Sequence, residues 1–182
     1  YGDRVQPLVT PAESLDSGTG LVPISHLAER PKRMEERVQR VDDGDGGTRE
    51  QRVKSPVWFD PHAKNGTPMC QALDLATQHV RDWIDRHTGS FPPVVMNVTD
   101  GEATDGDPLR YAQKLRSYAT DDGETLLFNV HLSESEAPAV ELPTHRDELP
   151  RNAKYADDLF EMSSTLPFTM RSAAENEGYT VD

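Results

Sequence analysis

Residues 92–108 contain the pattern that most constrains the fold, an apolar run that ends abruptly in carboxylates, hydroxyls and glycines. Val94–Thr99 is rich in β-branched residues and apolar on both faces, which is typical of a central parallel strand covered by helices on both sides. In open α/β sheets, ligands bind beyond the carboxyl ends of the parallel strands. Asp100, which directly follows this strand, is therefore the first candidate for a functional residue.

The segment before this strand has the pattern of an amphipathic helix. Thr67 is predicted as its N-cap and Pro68 as its first helical residue. The helix is predicted to extend from Met69 to His87, because apolar side chains recur at spacings of three and four and so share one face. That face consists of Met69, Ala72, Leu73, Ala76, Val80, Trp83 and Ile84.

Further helices and a second strand complete the predicted α/β pattern. Helices are predicted over residues 109–118, 157–162 and 168–176. Asp107 is positioned to cap the first of these, and Pro108 suits its start. The next strand is predicted over residues 125–132. A strand-helix-strand order needs a right-handed crossover, so this strand is expected to lie parallel to residues 94–99 and beside them or nearly so.

Upstream of Asp60 the patterns leave several interpretations open. Residues 33–41 fit a short helix or a strand, and residues 52–59 fit an edge strand or an extended lead-in to the next helix. Residues 42–47 are rich in aspartate and glycine, like a calcium loop. An EF-hand loop that began at Asp42 would need a bidentate glutamate at its twelfth position, where the chain has Val53. The segment is therefore predicted to be a solvated turn.

The composition excludes several classes of function. The 182 residues suit one domain, and the net charge of −13 argues against a duplex nucleic-acid binder, which needs Lys and Arg to neutralise phosphates. No apolar run of about 18 residues and no signal pattern is present, so no membrane segment is predicted. Cys70, the only cysteine, is predicted to be a small, partly buried residue in a reducing cytoplasm. The six histidines lack metal-ligand spacing and are predicted to be structural.

Two motifs in this chain resemble those of the von Willebrand factor A (VWA) domain. They are Gly66-Thr67-Pro68-Met69 at the start of the amphipathic helix and Thr99-Asp100-Gly101-Glu102 followed by Thr104-Asp105-Gly106-Asp107-Pro108. The likeness covers roughly residues 58–162 and is greatest for intracellular bacterial versions. It implies a doubly wound, mostly parallel open sheet flanked by helices, in a single domain over residues 1–182 with 21–55 as an insertion or irregular segment. Tyr1-Gly2-Asp3 resembles the family's third strand, and residues 178–182 follow without a closing helix, so the fold is expected to be incomplete at both ends.

The resemblance also implies a metal-ion-dependent adhesion site on the rim of the sheet. The family's metal-binding Thr and Asp correspond to Thr67 and Asp100. Its Asp-x-Ser-x-Ser segment is not found, because Asp16-Ser17-Gly18-Thr19-Gly20 has glycines where the serines belong. The expected cofactor is Mg²⁺, or else Mn²⁺ or Ca²⁺, in a site that is incomplete in this chain. The residues expected around the ligands, as loop residues or as partners of the ligands, are Gly66, Gly101, Glu102 and Asp105.

The function implied by this resemblance is a divalent-cation-dependent protein-binding module, not an enzyme, in bacterial intracellular signalling or stress response. A partner's acidic side chain would fill the cation's open position, and the resemblance implies kinase or phosphatase signalling partners. Two alternatives remain open: a metal-assisted hydrolase with Asp100 and Asp105 as ligands, and a scaffold that binds no metal. The sequence disfavours the hydrolase, because no Gly-rich phosphate loop precedes a Lys and no Ser-His-Asp order is evident. Turn or helix-cap roles are instead expected for Asp105 and Asp107.

Overall fold

The computed structural model describes residues 2, 4–5, 7, 21–42, 44, 47–60, 65–133, 138–150 and 155–181. The chain divides into two compact units. The hairpin unit comprises residues Gln6–Ala63, and the sheet unit comprises Tyr1–Val5 with Lys64–Asp182. Both predictions for the amino-terminal segment, a strand remnant at Tyr1-Gly2-Asp3 and the Asp16–Gly20 comparison, fall largely or wholly outside the described residues. In the described ranges, no helix is long and apolar enough to cross a membrane.

The hairpin unit is built around a long antiparallel β-hairpin. A short helix, α1 (Ile24–Glu29), precedes strands β1 (Arg33–Asp42) and β2 (Thr48–Val57). The two strands pair along their full length, from Arg33 opposite Val57 to Asp42 opposite Thr48. The strand interpretation of residues 33–41 is therefore confirmed, and β2 begins four residues before the predicted edge strand. Helix α1 was not predicted, because its six residues are too few to show a helical period.

The aspartate-rich segment between β1 and β2 is the turn of this hairpin. The Asp42 carboxylate accepts a hydrogen bond from the Gly44 N–H at 2.7 Å, an Asx-type turn. Gly44 has φ +86°, a left-handed conformation that glycine adopts without steric cost. The described residues of this segment are solvent-exposed. The prediction of a solvated turn is therefore confirmed for the described part of the segment.

The sheet unit contains most of the secondary structure. In chain order its elements are α2 (Met69–Ile84), β3 (Val94–Thr99), α3 (Leu109–Arg116), β4 (Ala119–Thr120), β5 (Gly123–Glu124), β6 (Leu126–His131), a 3₁₀ turn (Arg146–Glu148), α4 (Ala156–Met162) and α5 (Phe168–Asn176). Strand β3 and helix α5 have the predicted bounds. Helix α2 begins at Met69 as predicted but ends three residues before His87. The small antiparallel β4–β5 pair was not predicted.

Strands β3 and β6 form a two-stranded parallel sheet, which confirms the predicted α/β class and the parallel pairing. Val94 lies opposite Leu126 and Thr99 lies opposite His131. Helices α2, α3 and α4 contribute to one hydrophobic core with the inner face of this sheet. The buried core residues are Met69, Leu73, Val80, Ile84, Ala112, Leu115, Leu127, Leu159 and Met162. The predicted inner face of α2 supplies four of them.

The inner face of the sheet also carries polar side chains, which hydrogen-bond to one another. The Asn97 side-chain N–H donates to Asn129 Oδ1 at 2.8 Å. Asn129 in turn donates to the Leu159 carbonyl at 3.0 Å and to Ser163 Oγ at 2.9 Å. A buried amide is tolerated only when it is paired, so this chain of bonds fixes β3, β6 and the end of α4 relative to one another.

The outer face of the sheet corrects one prediction. Val94, Met96 and Val98 on β3 are 40%, 72% and 55% exposed, and Val130 on β6 is 47% exposed. The prediction that helices cover β3 on both sides is therefore wrong for the described residues. Apolar side chains on both faces indicate a strand suited to double cover, but sequence periodicity cannot show which face is packed. The doubly wound sheet is correspondingly not part of the described structure, whose parallel sheet has two strands.

Candidate functional site

The two VWA-like motifs meet in the folded chain. The Thr67 N–H donates to Thr104 Oγ1 at 2.8 Å, and the Thr104 N–H donates to the Thr67 carbonyl at 3.0 Å. This reciprocal pair joins residues that are 37 positions apart in the sequence. The start of α2 and the loop after β3 consequently form one surface, which we call the rim and define as residues 65–71 and 99–107.

Asp105 caps α2 from across the rim. Its two carboxylate oxygens accept hydrogen bonds from the N–H groups of Cys70 and Gln71, each at 3.0 Å. Burial favours the neutral acid, but the bonds from the Gln71 and Cys70 amides and from the Cys70 thiol outweigh it and lower the pKa of Asp105. The first-turn amides of a helix lack partners within the helix, so this carboxylate satisfies donors that would otherwise need water.

This arrangement corrects the predicted N-cap. Pro68, with φ −74° and ψ 68°, is the N-cap of α2, and no side chain of its own segment caps the helix. Thr67 lies one residue earlier, with both its backbone groups bonded to Thr104. Asp105 takes the helix-cap role that the sequence leaves open for it. Asp107 also has the predicted role, since its carboxylate accepts the Leu109 N–H at 3.0 Å at the start of α3.

Cys70 is buried at the contact between the two segments of the rim. It is 3% exposed, and its thiol hydrogen-bonds to the Asp105 carboxylate. Burial, followed by this hydrogen bond and the charge of Asp105, raises the pKa of the Cys70 thiol to about 11. A helix N-terminus by itself would lower a thiol pKa, so burial, together with the nearby carboxylate, outweighs the effect of the helix. Cys70 is accordingly a buried residue whose thiol is held mainly in its neutral form.

Asp100 lies on the exposed side of the rim. Its backbone carbonyl accepts a hydrogen bond from His131 Nε2 at 3.1 Å, and the neighbouring Gly101 N–H donates to Thr99 Oγ1 at 3.1 Å. Thr99 and His131 are opposite each other at the carboxyl ends of β3 and β6. The Asp100 carboxylate is exposed and has no hydrogen bond or ion pair with another described residue. The predicted position at the end of a parallel strand is therefore confirmed.

At both predicted rim glycines, Gly66 and Gly101, the structure shows a steric reason for the lack of a side chain. Gly101 is buried at φ +95°, and a Cβ atom there would lie 2.4 Å from the Cβ of Tyr155. Gly66 has φ +89°, and a Cβ atom would lie 3.2 Å from Thr104 Oγ1. Both positions combine a left-handed backbone with close packing, which only glycine satisfies without strain. Glu102, the remaining predicted rim residue, is exposed.

The rim offers oxygen ligands but no closed metal centre. In the described part of the chain, no group of three or more His, Cys, Asp or Glu side chains could hold a metal ion. The exposed Asp100 carboxylate and the Thr67 hydroxyl are both hard oxygen donors on the rim. Mg²⁺ usually keeps several waters and binds proteins through one or two carboxylates. The described rim therefore offers one exposed carboxylate and one hydroxyl as oxygen donors, and any cation bound there would keep most of its positions for water or a partner.

Sequence reasoning missed three residues that shape the rim. Thr104 ties the loop to Thr67, His131 holds the Asp100 carbonyl, and Tyr155 packs on Gly101. The repetition of Thr-Asp-Gly at 99–101 and 104–106 was a usable signal for Thr104. Among the other histidines, His87 lies with its Nδ1 2.8 Å from the Trp83 carbonyl, which is a contact within α2 and the turn that follows it.

Comparisons with known proteins add no relative: no protein-family model, curated protein or solved structure matches the chain.

Proposed function

We propose that this protein is a divalent-cation-dependent protein-binding module, in which Thr67 and Asp100 hold the cation and an acidic side chain of a partner completes its coordination. The observation that carries the proposal is the reciprocal hydrogen-bond pair between Thr67 and Thr104, which joins the two motifs in one rim. The exposed Asp100 carboxylate, with no partner among the described residues, supports it further.

Charge gives the cation a physical role in this proposal. The chain carries a net charge of −13, so an acidic partner would be repelled in the absence of a counter-charge. A divalent cation on the rim reverses the local sign and bridges the two carboxylates. Mg²⁺ is the preferred candidate, with Mn²⁺ and Ca²⁺ as alternatives, since all three favour oxygen ligands.

The wider context of the proposal comes from the VWA resemblance. We infer that the parallel β3–β6 pair belongs to a VWA-like α/β sheet. The position of Asp100, directly after the carboxyl end of β3, supports this inference. On the same grounds we propose a cytoplasmic bacterial protein that acts with kinase or phosphatase signalling partners.

We prefer a binding module to a metal-assisted hydrolase because of Asp105. The hydrolase would use Asp100 and Asp105 together as metal ligands. Both carboxylate oxygens of Asp105 already accept amide hydrogen bonds at 3.0 Å, so a metal would have to displace them and uncap α2. The absence of turnover would favour the module over the hydrolase, and the absence of cation binding would favour a scaffold that binds no metal.

Calorimetric titration with Mg²⁺ tests the proposal, with the wild type compared with Asp100→Ala and Asp122→Ala. Asp122 is an exposed residue in the turn between β4 and β5, so its substitution makes the same change in charge far from the rim along the chain. We expect Asp100→Ala to weaken Mg²⁺ binding by at least about tenfold and Asp122→Ala to leave it unchanged. Equal weakening by both variants, or no Mg²⁺ binding by the wild type, would overturn the proposal.

A further inference from the structure

We propose that Asp105 is a positioning residue, a latch that holds Thr67 in place relative to Asp100 and so sets the cation affinity of the rim. The cation part of this inference rests on the proposed function. The latch itself rests only on the contacts within the rim, and the two can be tested separately.

The contacts of Asp105 distinguish it from the other residues of the rim. It is the one described residue whose carboxylate connects the loop after β3 to the first turn of α2, through the Cys70 and Gln71 amides at 3.0 Å. Hydrogen bonds with an ionised acceptor are roughly twice as strong as neutral ones, and negative charge is favoured at a helix N-terminus. The neighbouring Thr67–Thr104 pair connects the same segments through neutral groups only.

The two proposed cation ligands have different direct contacts. Asp100 is fixed to the sheet, since its carbonyl binds His131 and the next residue, Gly101, packs against Tyr155. Thr67 belongs to the segment that enters α2, and it meets the loop through Thr104, directly beside Asp105. Release of Asp105 would leave the neutral Thr67–Thr104 pair as the hydrogen-bond connection that remains, among the described residues, between the segment of Thr67 and the loop of Asp100, so Thr67 would be held less firmly relative to Asp100. Two ligands on separately moving segments bind a cation less tightly, because binding must then also order them.

Cys70 provides a readout of the latch that does not depend on any cation. It is the only cysteine in the chain, so a thiol reagent reports on this position alone. Its thiol hydrogen-bonds to Asp105, and burial with the nearby carboxylate raises its pKa to about 11. It also lines a shallow depression of about 300 Å³ along α2, from which a reagent can approach it. Loss of the Asp105 charge should therefore speed alkylation of Cys70.

The test compares Asp105→Asn with Asp107→Asn, which removes the same charge two residues away, where the carboxylate caps α3 instead of α2. Three quantities are measured under conditions where both variants are folded: the iodoacetamide alkylation rate of Cys70, hydrogen exchange at the Cys70 and Gln71 amides, and Mn²⁺ affinity by electron paramagnetic resonance. We expect Asp105→Asn to speed alkylation and exchange severalfold and to weaken Mn²⁺ binding by about tenfold. Asp107→Asn should change none of the three by more than a small factor.

The outcomes separate the latch from the proposed function. Suppose that Asp105→Asn speeds alkylation and exchange but the wild type does not bind Mn²⁺. This result would support the connection that Asp105 makes to α2 and would overturn cation binding. Unchanged alkylation and exchange would overturn the latch. Unchanged Mn²⁺ affinity despite both changes would overturn its role in positioning the ligands.

A wild-type experiment covers the case in which Asp105→Asn does not fold. Coupling between two sites is reciprocal. If the bonds from Asp105 to the start of α2 strengthen cation binding, then a bound cation must also stabilise those bonds. Saturating Mn²⁺ should then slow alkylation of Cys70 in the wild type. An alkylation rate that does not change with Mn²⁺ occupancy would overturn the coupling.

Discussion

The hairpin unit and the sheet unit place their strands in very different environments. Strands β1 and β2 have ten residues each, yet Val57 is the only one of these residues that is buried. Strands β3 and β6 have six residues each, and their inner face joins α2, α3 and α4 in a shared core. The hairpin is therefore held mainly by its backbone ladder and cross-strand pairs, whereas the sheet unit is held by burial. The rim belongs to the packed unit, so its residues are attached to elements with a buried core.

The largest predicted difference between the units comes from truncation of one strand residue in each. Leu127 on β6 is fully buried, and Leu127→Ala should lower the free energy of unfolding by about 2 to 5 kcal/mol through lost burial and a cavity. Val38 on β1 is 59% exposed, and Val38→Ala should change it by less than about 0.5 kcal/mol. Urea denaturation measures both. Similar losses in the two variants would show that the hairpin buries Val38 against a surface in solution.

Glycines with similar backbones sharpen the comparison. Gly101→Ala meets a left-handed φ of +95° and a 2.4 Å approach to the Cβ of Tyr155, so we expect a loss of about 2 to 3 kcal/mol. Gly44→Ala meets a φ of +86° but nothing within 4 Å, so only the backbone cost of about 1 kcal/mol remains. Thermal unfolding of the two variants measures the difference. Equal costs would mean that Tyr155 yields freely to the added methyl group.

One carboxylate in each unit extends the comparison to electrostatic contributions to stability, and the carboxylate of the sheet unit is Asp105. Asp105→Asn should lower stability at pH 7 by about 1 to 2 kcal/mol, the usual contribution of a helix cap. Since the folded pKa of Asp105 is lowered, its contribution is present above its unfolded pKa of about 3.9 and is lost as pH falls through the folded value. The gap between wild type and variant should therefore narrow below about pH 4. Urea denaturation at pH 7 and at acid pH measures the gap, and a constant gap would contradict the assignment.

The hairpin unit provides the matched carboxylate. Asp60 pairs on the surface with Lys32 and Arg33, and hydrogen bonds from these two residues lower its pKa. Exposed ion pairs contribute little and are screened by salt. Asp60→Asn should therefore cost less stability at neutral pH than Asp105→Asn, and added salt should reduce its effect further. A larger cost for Asp60→Asn would reverse the proposed ranking of the two sites.

The smallest predicted effect is on the outer face of the sheet. Met96 is 72% exposed on β3, so Met96→Lys should change stability by less than about 0.5 kcal/mol in this chain. Val95→Lys, on the inner face of the same strand, is the control that should be strongly destabilising, because it would bury an unpaired charge. A large loss in Met96→Lys, measured by thermal unfolding, would show that the outer face is covered in solution.

Sequence patterns predicted the fold where the physical signal is local. The Thr67-Pro68 pattern placed the start of α2, and the period of 3.6 identified its packed face. The β-branched run placed β3. The same patterns could not reveal the cap of α2, because the Asp105 carboxylate reaches Cys70 across 35 positions of sequence. Propensity instead favoured Thr67, the nearest residue of a capping type.

The candidate site was predicted unevenly for the same reason. Asp100 and Gly101 follow a strand directly, so their place on the rim could be inferred from the strand end alone. His131 and Tyr155 reach the rim from later elements, and only the parallel pairing and the position of α4 bring them there. Exposure of the outer face likewise depends on which elements pack on the sheet, and the apolar side chains of Val94, Met96 and Val98 do not encode that choice.

The most direct test of cation binding at the rim is a Mn²⁺ titration followed by paramagnetic broadening of backbone amide signals. The hairpin turn at residues 42–47, with three aspartates, serves as an internal control for non-specific binding. We predict that substoichiometric Mn²⁺ broadens the Thr67 and Gly101 signals first and leaves Gly44 sharp. Broadening of the hairpin turn at the same or lower Mn²⁺ concentration, with the rim signals unaffected, would contradict the proposed site.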